Sequence, residues 1–422
     1  MTQTANRDQI RKRNRSIILQ TLRREGQMAR IDLGRATRLS PATITAITSD
    51  MLDEGLIAGI ETEEPRAAQS RGRPRSMLAL NGAAASVISL RISVNWIDLA
   101  LADFTGRIIF SRKYPFDTTR ADAESFPDLL CSTITSFVEE SGANPATVQE
   151  IGVASQGIVD RMRGEIVWSP AFSGRNIPVV DPIRTRLGAR CFLTNDTNMI
   201  TEALHWSEPE RYSGTFAVLM VDYGVGMGLF LDGHLFVGAT GAAAEIGHAN
   251  HIPGGALCRC GKRGCLEAYL ADYALLRQVL GLPDDTDPRS LPVNSQTFDD
   301  LYGKAKAGDP HVRAVFNGAG KALGIGLARL LAIIEPARIV LTGAGIEAFE
   351  FMEAGMHQAL EEVLVEDLRR HLVIDVVEWN EDFIRRGLVA QAMRRLDENL
   401  TGQPEGISPR ASLIRQGASK GI

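Results

Sequence analysis

Four residues, His248, Cys258, Cys260 and Cys265, constrain this chain more than any other feature. Cys258-Arg-Cys-Gly-Lys-Arg-Gly-Cys265 puts three of the five cysteines within eight residues, compact enough to wrap one metal ion. Thiolates and an imidazole suit tetrahedral Zn²⁺, and three cysteines with a histidine just upstream make a closed Cys₃His set, the mark of a structural metal. Gly261 and Gly264 let the backbone fold tightly between ligands, and the run ends in Cys265-Leu266-Glu267, which sets a carboxylate beside the metal-fixed loop. The alternative is a disulfide, or three buried thiols that merely pack; a disulfide needs an oxidising compartment, and the start Met1-Thr2-Gln3 shows no apolar secretory core. Cys131 and Cys191 stand alone in apolar surroundings and read as small core hydrophobes.

The chain has 422 residues with 44% hydrophobic content, too long for one ordinary core, so two or three domains are expected. No uninterrupted apolar run approaches the roughly 20 residues that cross a bilayer, and a cytoplasmic protein with no membrane partner is expected. The net charge of -5 divides unevenly. Residues 1–80 hold 14 Lys/Arg against 9 Asp/Glu, a net +5, and the remainder carries -10. A basic head on an acidic body fits a nucleic-acid-binding module joined to a domain with another task.

Within the head, Ile10, Ile17, Ile18 and Leu22 recur near helical spacing up to Gly26, which predicts an amphipathic helix over 8–25 with arginines outside. A short helix over 31–37 follows. Ser40-Pro41, an N-cap and a first-turn proline, then starts a third. There Ile44, Ile47, Met51 and Leu52 share one face. Thr43, Thr45, Thr48 and Ser49 lie elsewhere, short polar groups suited to base edges and phosphates. Residues 57–80 alternate loosely around Arg71-Gly-Arg73-Pro-Arg75, a hairpin tip able to enter a minor groove or clamp phosphates. The pattern is a winged helix-turn-helix over 1–80, with Ser40, Thr43, Thr45, Arg71, Arg73 and Arg75 as the expected contacts to operator DNA.

From Ala84 onward short apolar runs alternate with helical stretches, an α/β pattern: 87–92, 97–103, 151–153, 191–194, 216–221 and 339–342 read as strands. Similar openings near 87–110 and 216–237 suggest duplicated lobes. The expected partition is a first lobe over 81–205, completed by a C-terminal helix near 384–398, a second lobe over 206–383 with the zinc loop, and a mobile tail over 401–422.

The winged helix, Glu245-Ile-Gly-His248 and Cys258-Arg-Cys-Gly-Lys-Arg-Gly-Cys-Leu-Glu267 together resemble the ROK family of repressors and sugar kinases, over most of residues 8–398. The resemblance implies an actin- or hexokinase-like (ribonuclease H-like) fold of two lobes closing over a sugar, with zinc on His248, Cys258, Cys260 and Cys265. It also implies a sugar pocket of Asn195, Asp196, Glu245, His248 and Glu267. In the family's kinases Asp196 stands where an aspartate deprotonates the sugar hydroxyl. From the residues alone, Asn195-Asp196 offers an amide and a carboxylate for adjacent hydroxyls, or simply an Asx turn.

ROK kinases open the first lobe with Asp-x-Gly-Gly-Thr, and this chain reads Arg91-Ile-Ser93-Val94-Asn95 there. Arginine does not ligate Mg²⁺, and Ser93 and Val94 obstruct positions where glycine lets backbone approach phosphate. The second phosphate loop survives in part as Gly224-Val225-Gly226-Met227-Gly228, and Gly343 and Gly345 remain in a third, all equally readable as tight turns. The expectation is a sugar-responsive transcriptional regulator, a repressor acting as a homodimer or dimer of dimers, with no catalytic residue. A sugar kinase that also binds DNA, using Asp196, is the alternative. A DNA-binding module governed by a protein partner, its pocket vestigial, is a third reading. In the wall segment 169–176, Arg175 stands where an aromatic residue would be expected.

Overall fold

The computed structural model describes residues 2–60, 77–117, 121–294 and 296–400. The chain divides into two units, one formed by residues 1–153, 177–193 and 388–422, the other by 154–176 and 194–387.

The first unit opens with helices α1 (Thr2–Glu25), α2 (Arg30–Thr37) and α3 (Pro41–Asp53). Strands β1 (Met28–Ala29), β2 (Ile57–Ile60) and β3 (Met77–Leu80) form a small sheet in the order β1-β3-β2, where β2 and β3 pair antiparallel from Ile57↔Leu80 to Ile60↔Met77. Ser40 caps α3, its hydroxyl accepting the Thr43 N–H at 3.2 Å, and Pro41 occupies the first turn as the sequence requires. Ile18, Leu19, Leu22, Leu33, Ile44, Ile47 and Met51 form the core of the head. Ile10, expected inside, is 53% exposed, and Leu19 takes the inward position instead. Arg15 is drawn in among these residues by a bidentate pairing with Glu54.

A five-stranded sheet follows in the order β11-β7-β4-β5-β6, from β4 (Ser86–Ser93), β5 (Trp96–Asp103), β6 (Ile108–Pro115), β7 (Val148–Ser155) and β11 (Arg190–Asn195). Helices α4 (Phe126–Ser141) and α5 (Val180–Leu187), the short β10 (Ile177–Pro178) and most of α13 (Asp382–Leu400) complete this unit. One buried ion pair ties the head to its last helix. The Arg23 guanidinium near the end of α1 meets both oxygens of Asp397 on α13, at 2.6 and 3.1 Å, and also donates to the Phe104 carbonyl at 3.3 Å.

The second unit holds the hairpin β8 (Ile158–Asp160) and β9 (Glu165–Trp168), helix α6 (Asp196–Ser207), and a sheet in the order β14-β13-β12-β15-β16. Its strands are β12 (Phe216–Val221), β13 (Val225–Leu231), β14 (His234–Leu235), β15 (Arg338–Thr342) and β16 (Val373–Val376). Read from the other end, the strand order of the first sheet has the same sequence of connections, so the two similar openings are topological counterparts. Helices α7 (Glu267–Leu270), α8 (Asp272–Val279), α9 (Thr297–Lys306), α10 (Pro310–Ile334), α11 (Phe349–Val363) and α12 (Glu366–Arg369) surround this sheet. By length and composition α10 could cross a bilayer, yet it is a core helix: its glycines 320 and 324 lie against the backbone of Met352 and Met356 on α11. Such close approach leaves no room for a Cβ and brings two apolar faces into dense contact.

Candidate functional site

The site grows from two segments of the second unit. At the end of β11 the chain turns into α6 at Asn195, whose side-chain oxygen accepts the Thr197 N–H at 2.8 Å while its amide nitrogen donates to the Gly157 carbonyl at 2.9 Å. The Asx turn is therefore real, and Asn195 fixes the direction in which the next residue enters the pocket. Asp196, only 2% exposed, accepts the Thr197 N–H at 2.9 Å.

The second segment runs from Glu245 to Glu267. One ligand atom from each of His248, Cys258, Cys260 and Cys265 lies within 4.8 Å of all the others. Cys260 and Cys265 Sγ atoms are 3.7 Å apart, and Cys258 Sγ lies 3.8 Å from His248 Nδ1. A tetrahedral ion with thiolate bonds of about 2.3 Å holds its sulfurs about 3.8 Å apart, so the donor set fits a four-coordinate metal. Hydrogen bonds from Cys258 and Cys265 hold the Cys260 thiol far below the usual range, and those with Cys260 and Cys265 push the Cys258 thiol far above it, the mark of sulfurs crowded together. None of the five cysteines is in a disulfide; Cys131 is buried in the core, and Cys191 is half-buried.

Both segments line one pocket. Asn195, Asp196, Glu245, His248 and Glu267 all face it, which brings the whole expected sugar set together. Glu267, 5% exposed, accepts from Val225 N–H at 3.3 Å and from Cys258 Sγ at 3.3 Å. Burial pushes the Glu245 carboxyl up to about 7, against His248 and with help from Asp196 and Glu267. Near neutrality that carboxyl can donate as well as accept, which suits recognition of hydroxyls.

Sequence reasoning missed Gln156, Trp168, Tyr223 and Arg259, which also line the pocket. Trp168 meets His248 edge-on, ring centroids 5.5 Å apart. Arg259 was detectable, since it stands between two ligands, whereas Trp168 gave no signal beyond being one of four tryptophans. From the wall segment Pro170 lines the pocket, and Arg175 is exposed.

The glycines of the second phosphate loop have an unexpected reason. Gly224, Gly226 and Gly228 do not sit at left-handed turns. A Cβ at Gly226 would overlap Thr197 Oγ1, one at Gly228 would overlap Thr201 Oγ1, and one at Gly224 would come within 2.9 Å of Glu267. Close packing of α6 on β13 thus demands two of them. Gly343, at φ 103°, does make the anticipated turn. At the first loop Ser93 pairs with Trp96 across a two-residue hairpin, with Asn95 left-handed at φ 66°.

In the head, Ser40 and Thr45 are exposed and Thr43 is half-buried, all on the N-terminal half of α3. Thr48, expected among the outward polar groups, is fully buried: it donates to the Ile44 carbonyl at 2.7 Å and accepts from Arg30 Nε at 3.0 Å. A threonine hydroxyl satisfied by the preceding turn can enter a core without cost in unpaired polarity. Arg71, Arg73 and Arg75 lie outside the described residues, as does the tail 401–422.

The chain is 25% identical over 389 residues to the DNA-binding transcriptional repressor Mlc of Escherichia coli K12, covering 92% of this chain and 95% of the relative. It is 24% identical over 372 residues to the N-acetylglucosamine repressor of Escherichia coli O6:H1, covering 88% and 90%. Among solved structures, a ROK family transcriptional regulator described as a homologue of E. coli Mlc superposes with a TM-score of 0.76 at 24% identity, covering 93% of this chain and 98% of the other. A ROK family glucokinase from Streptomyces griseus, in complex with glucose and AMPPNP, gives a TM-score of 0.58 at 24% identity and covers 73% of this chain and 99% of its own. Residues 87–384 match the ROK family, and with them well over half of its length this chain belongs to that family.

Proposed function

We propose that this protein is a sugar-responsive DNA-binding transcriptional regulator, a repressor of carbohydrate-metabolism genes that works in the cytoplasm as a dimer. The observation that carries the reading is one chain bearing both a head with a capped, polar-faced α3 and a pocket of Asp196, Glu245 and Glu267. Residues 1–80 serve as a winged helix-turn-helix head whose Ser40, Thr43 and Thr45 meet operator DNA. Arg71, Arg73 and Arg75 supply the phosphate or minor-groove contacts. Two heads read half-sites about 34 to 36 Å apart, and sugar binding needs to shift DNA affinity by only about 1 to 3 kcal/mol.

Zinc is the ion we assign to His248, Cys258, Cys260 and Cys265; when bound it holds the loop closed and supplies no catalytic step. Asn195, Asp196, Glu245, His248 and Glu267 bind the sugar. Asp196 and Glu267 accept from its hydroxyls, Asn195 orients Asp196, and the His248 ring backs the loop from which Glu245 projects. Three carboxylates on the pocket wall disfavour an anionic group at this end of the ligand and favour a neutral sugar.

A sugar kinase is the second reading, favoured by Asp196 standing where a general base could take a hydroxyl proton. Against it, Arg91 replaces a magnesium ligand, the first loop is a two-residue hairpin, and the Val225 N–H is engaged by Glu267 rather than open to phosphate. The test is binding of the purified protein to its own upstream DNA at several salt concentrations, with and without glucose, N-acetylglucosamine and xylose. Release or tightening by one sugar supports the regulator. Sugar-dependent ADP release abolished by Asp196→Asn would replace it with the kinase.

A further inference from the structure

Arg259 lies between two of the metal ligands and reaches away from them. Its guanidinium is clamped between two aromatic rings, 3.6 Å from the Tyr223 centroid and 4.4 Å from that of Tyr273. Around its edge it donates to the Tyr223 carbonyl and pairs with Asp272 at 3.1 Å, both side chains being 6% exposed. Tyr223 begins the glycine loop that forms one wall of the pocket, and Tyr273 and Asp272 begin α8.

We propose that Arg259 is a positioning residue that transmits occupancy of the metal loop to the glycine loop Tyr223–Gly226 and so sets the shape of the pocket for its ligand. A guanidinium has two flat faces and a rim of donors, so one group can stack on both rings while its edge holds a carbonyl and a carboxylate. Its backbone is placed by Cys258 and Cys260, whose loop closes through Cys258 N–H to Lys262 O at 2.9 Å and Gly261 N–H to Cys258 O at 2.9 Å. Metal fixes those two cysteines, the cysteines fix the Arg259 backbone, and the buried side chain fixes Tyr223. Glu267 braces the other side of the same loop at the Val225 N–H, so the loop is held from both ends by residues that flank ligands. Without metal the cysteine turn can relax, Arg259 swings with it, and the wall loses its anchor. The sugar-binding consequence rests on the function proposed above; the loop coupling does not.

The experiment is hydrogen exchange on the full-length protein, reading peptides that span 222–226 and, as a remote control, 338–342. Zinc-loaded wild type should protect 222–226, and chelation should speed its exchange about tenfold or more with the control unmoved. This arm needs no substitution. Zinc-loaded Arg259→Lys should keep full zinc content yet show the unprotected loop already, with chelation adding little, because an ammonium keeps the charge but cannot stack on two rings. Tyr223→Phe, which keeps ring and carbonyl, should show the loop exchange of wild type. An unchanged loop after chelation of wild type overturns the proposal, as does a fully protected loop in zinc-loaded Arg259→Lys or an unprotected one in Tyr223→Phe. Calorimetry with glucose, N-acetylglucosamine and xylose forms a separate arm. An affinity about tenfold weaker in Arg259→Lys is expected there. If wild type binds no sugar while the exchange coupling holds, the functional reading falls and the role of Arg259 stands.

Discussion

Replacing Asp397 by alanine should destabilise the first unit far more than loss of an ordinary ion pair. Asp397 has no exposed side-chain surface and Arg23 only 10%, and the pair is bidentate, with a further Arg23 hydrogen bond to Phe104 O and its guanidinium 5.5 Å from the Phe104 ring centroid. Exposed pairs contribute about 0 to 1 kcal/mol, whereas deleting one member of a buried pair strands the other charge and costs about 3 to 5 kcal/mol. Burial already raises the Asp397 pKa, with Arg23 pulling the other way, so a carboxylate left alone by Arg23→Met can take up a proton. An arginine left alone by Asp397→Ala cannot. The alanine variant should therefore be the worse of the two. For a unit of about 200 residues, 3 to 5 kcal/mol corresponds to a fall of roughly 10 °C in Tm. Differential scanning calorimetry against wild type reads this directly. Equal losses in the two variants, or an Asp397→Ala loss below about 1 kcal/mol, would refute the claim that the charge is buried and paired.

Gly228→Ala should cost about 1 to 3 kcal/mol by forcing Thr201 away from β13, read by urea unfolding; an unchanged midpoint would show that α6 has room to move. Cys260→Ser should lower bound zinc and loosen the loop, measured by metal analysis and melting, and full stability without metal would remove zinc from the structure. Arg73→Ala should weaken DNA binding at low salt and flatten the plot of log affinity against log salt by about one unit, and an unaltered slope would take Arg73 off the phosphates. Asn195→Ala removes the cap of α6 and should cost about 1 kcal/mol of stability as well as sugar affinity; loss of affinity alone would mean that its amide serves the ligand rather than the turn.

The parts of the molecule that were legible in its residues are those whose physics is local. Ser40-Pro41 announced α3 because capping and proline geometry act within one turn, and the strand 216–221 appeared at its predicted bounds because its apolar run is short and sharply ended. The cysteine spacing announced, for the same reason, the cluster of His248, Cys258, Cys260 and Cys265 that could hold a metal ion. What stayed hidden depends on contacts made at a distance. Nothing within α1 says that Leu19 turns inward while Ile10 does not, since the elements packed against α1 are α2, β3 and α3. Trp168 joins the pocket only because a hairpin brings it beside His248, 80 positions further along. Thr48 looked like a surface residue because its buried partner, the Ile44 carbonyl, is part of the backbone and leaves no trace in composition.

The glycines of β13 carry a lesson for reading sequence signatures. Thr197 and Thr201 press on Gly226 and Gly228 so closely that neither position can accept even a methyl group while α6 stays where it is. The requirement belongs to the scaffold that presents Asn195 and Asp196, and it operates whether or not a nucleotide ever visits the loop. A lineage could abandon phosphoryl transfer at Arg91 in a single step, yet dropping these glycines would mean rebuilding the helix beneath them. The motif can therefore outlast the chemistry it is used to diagnose, and a chain that keeps it has told us about its packing before it has told us about its substrate.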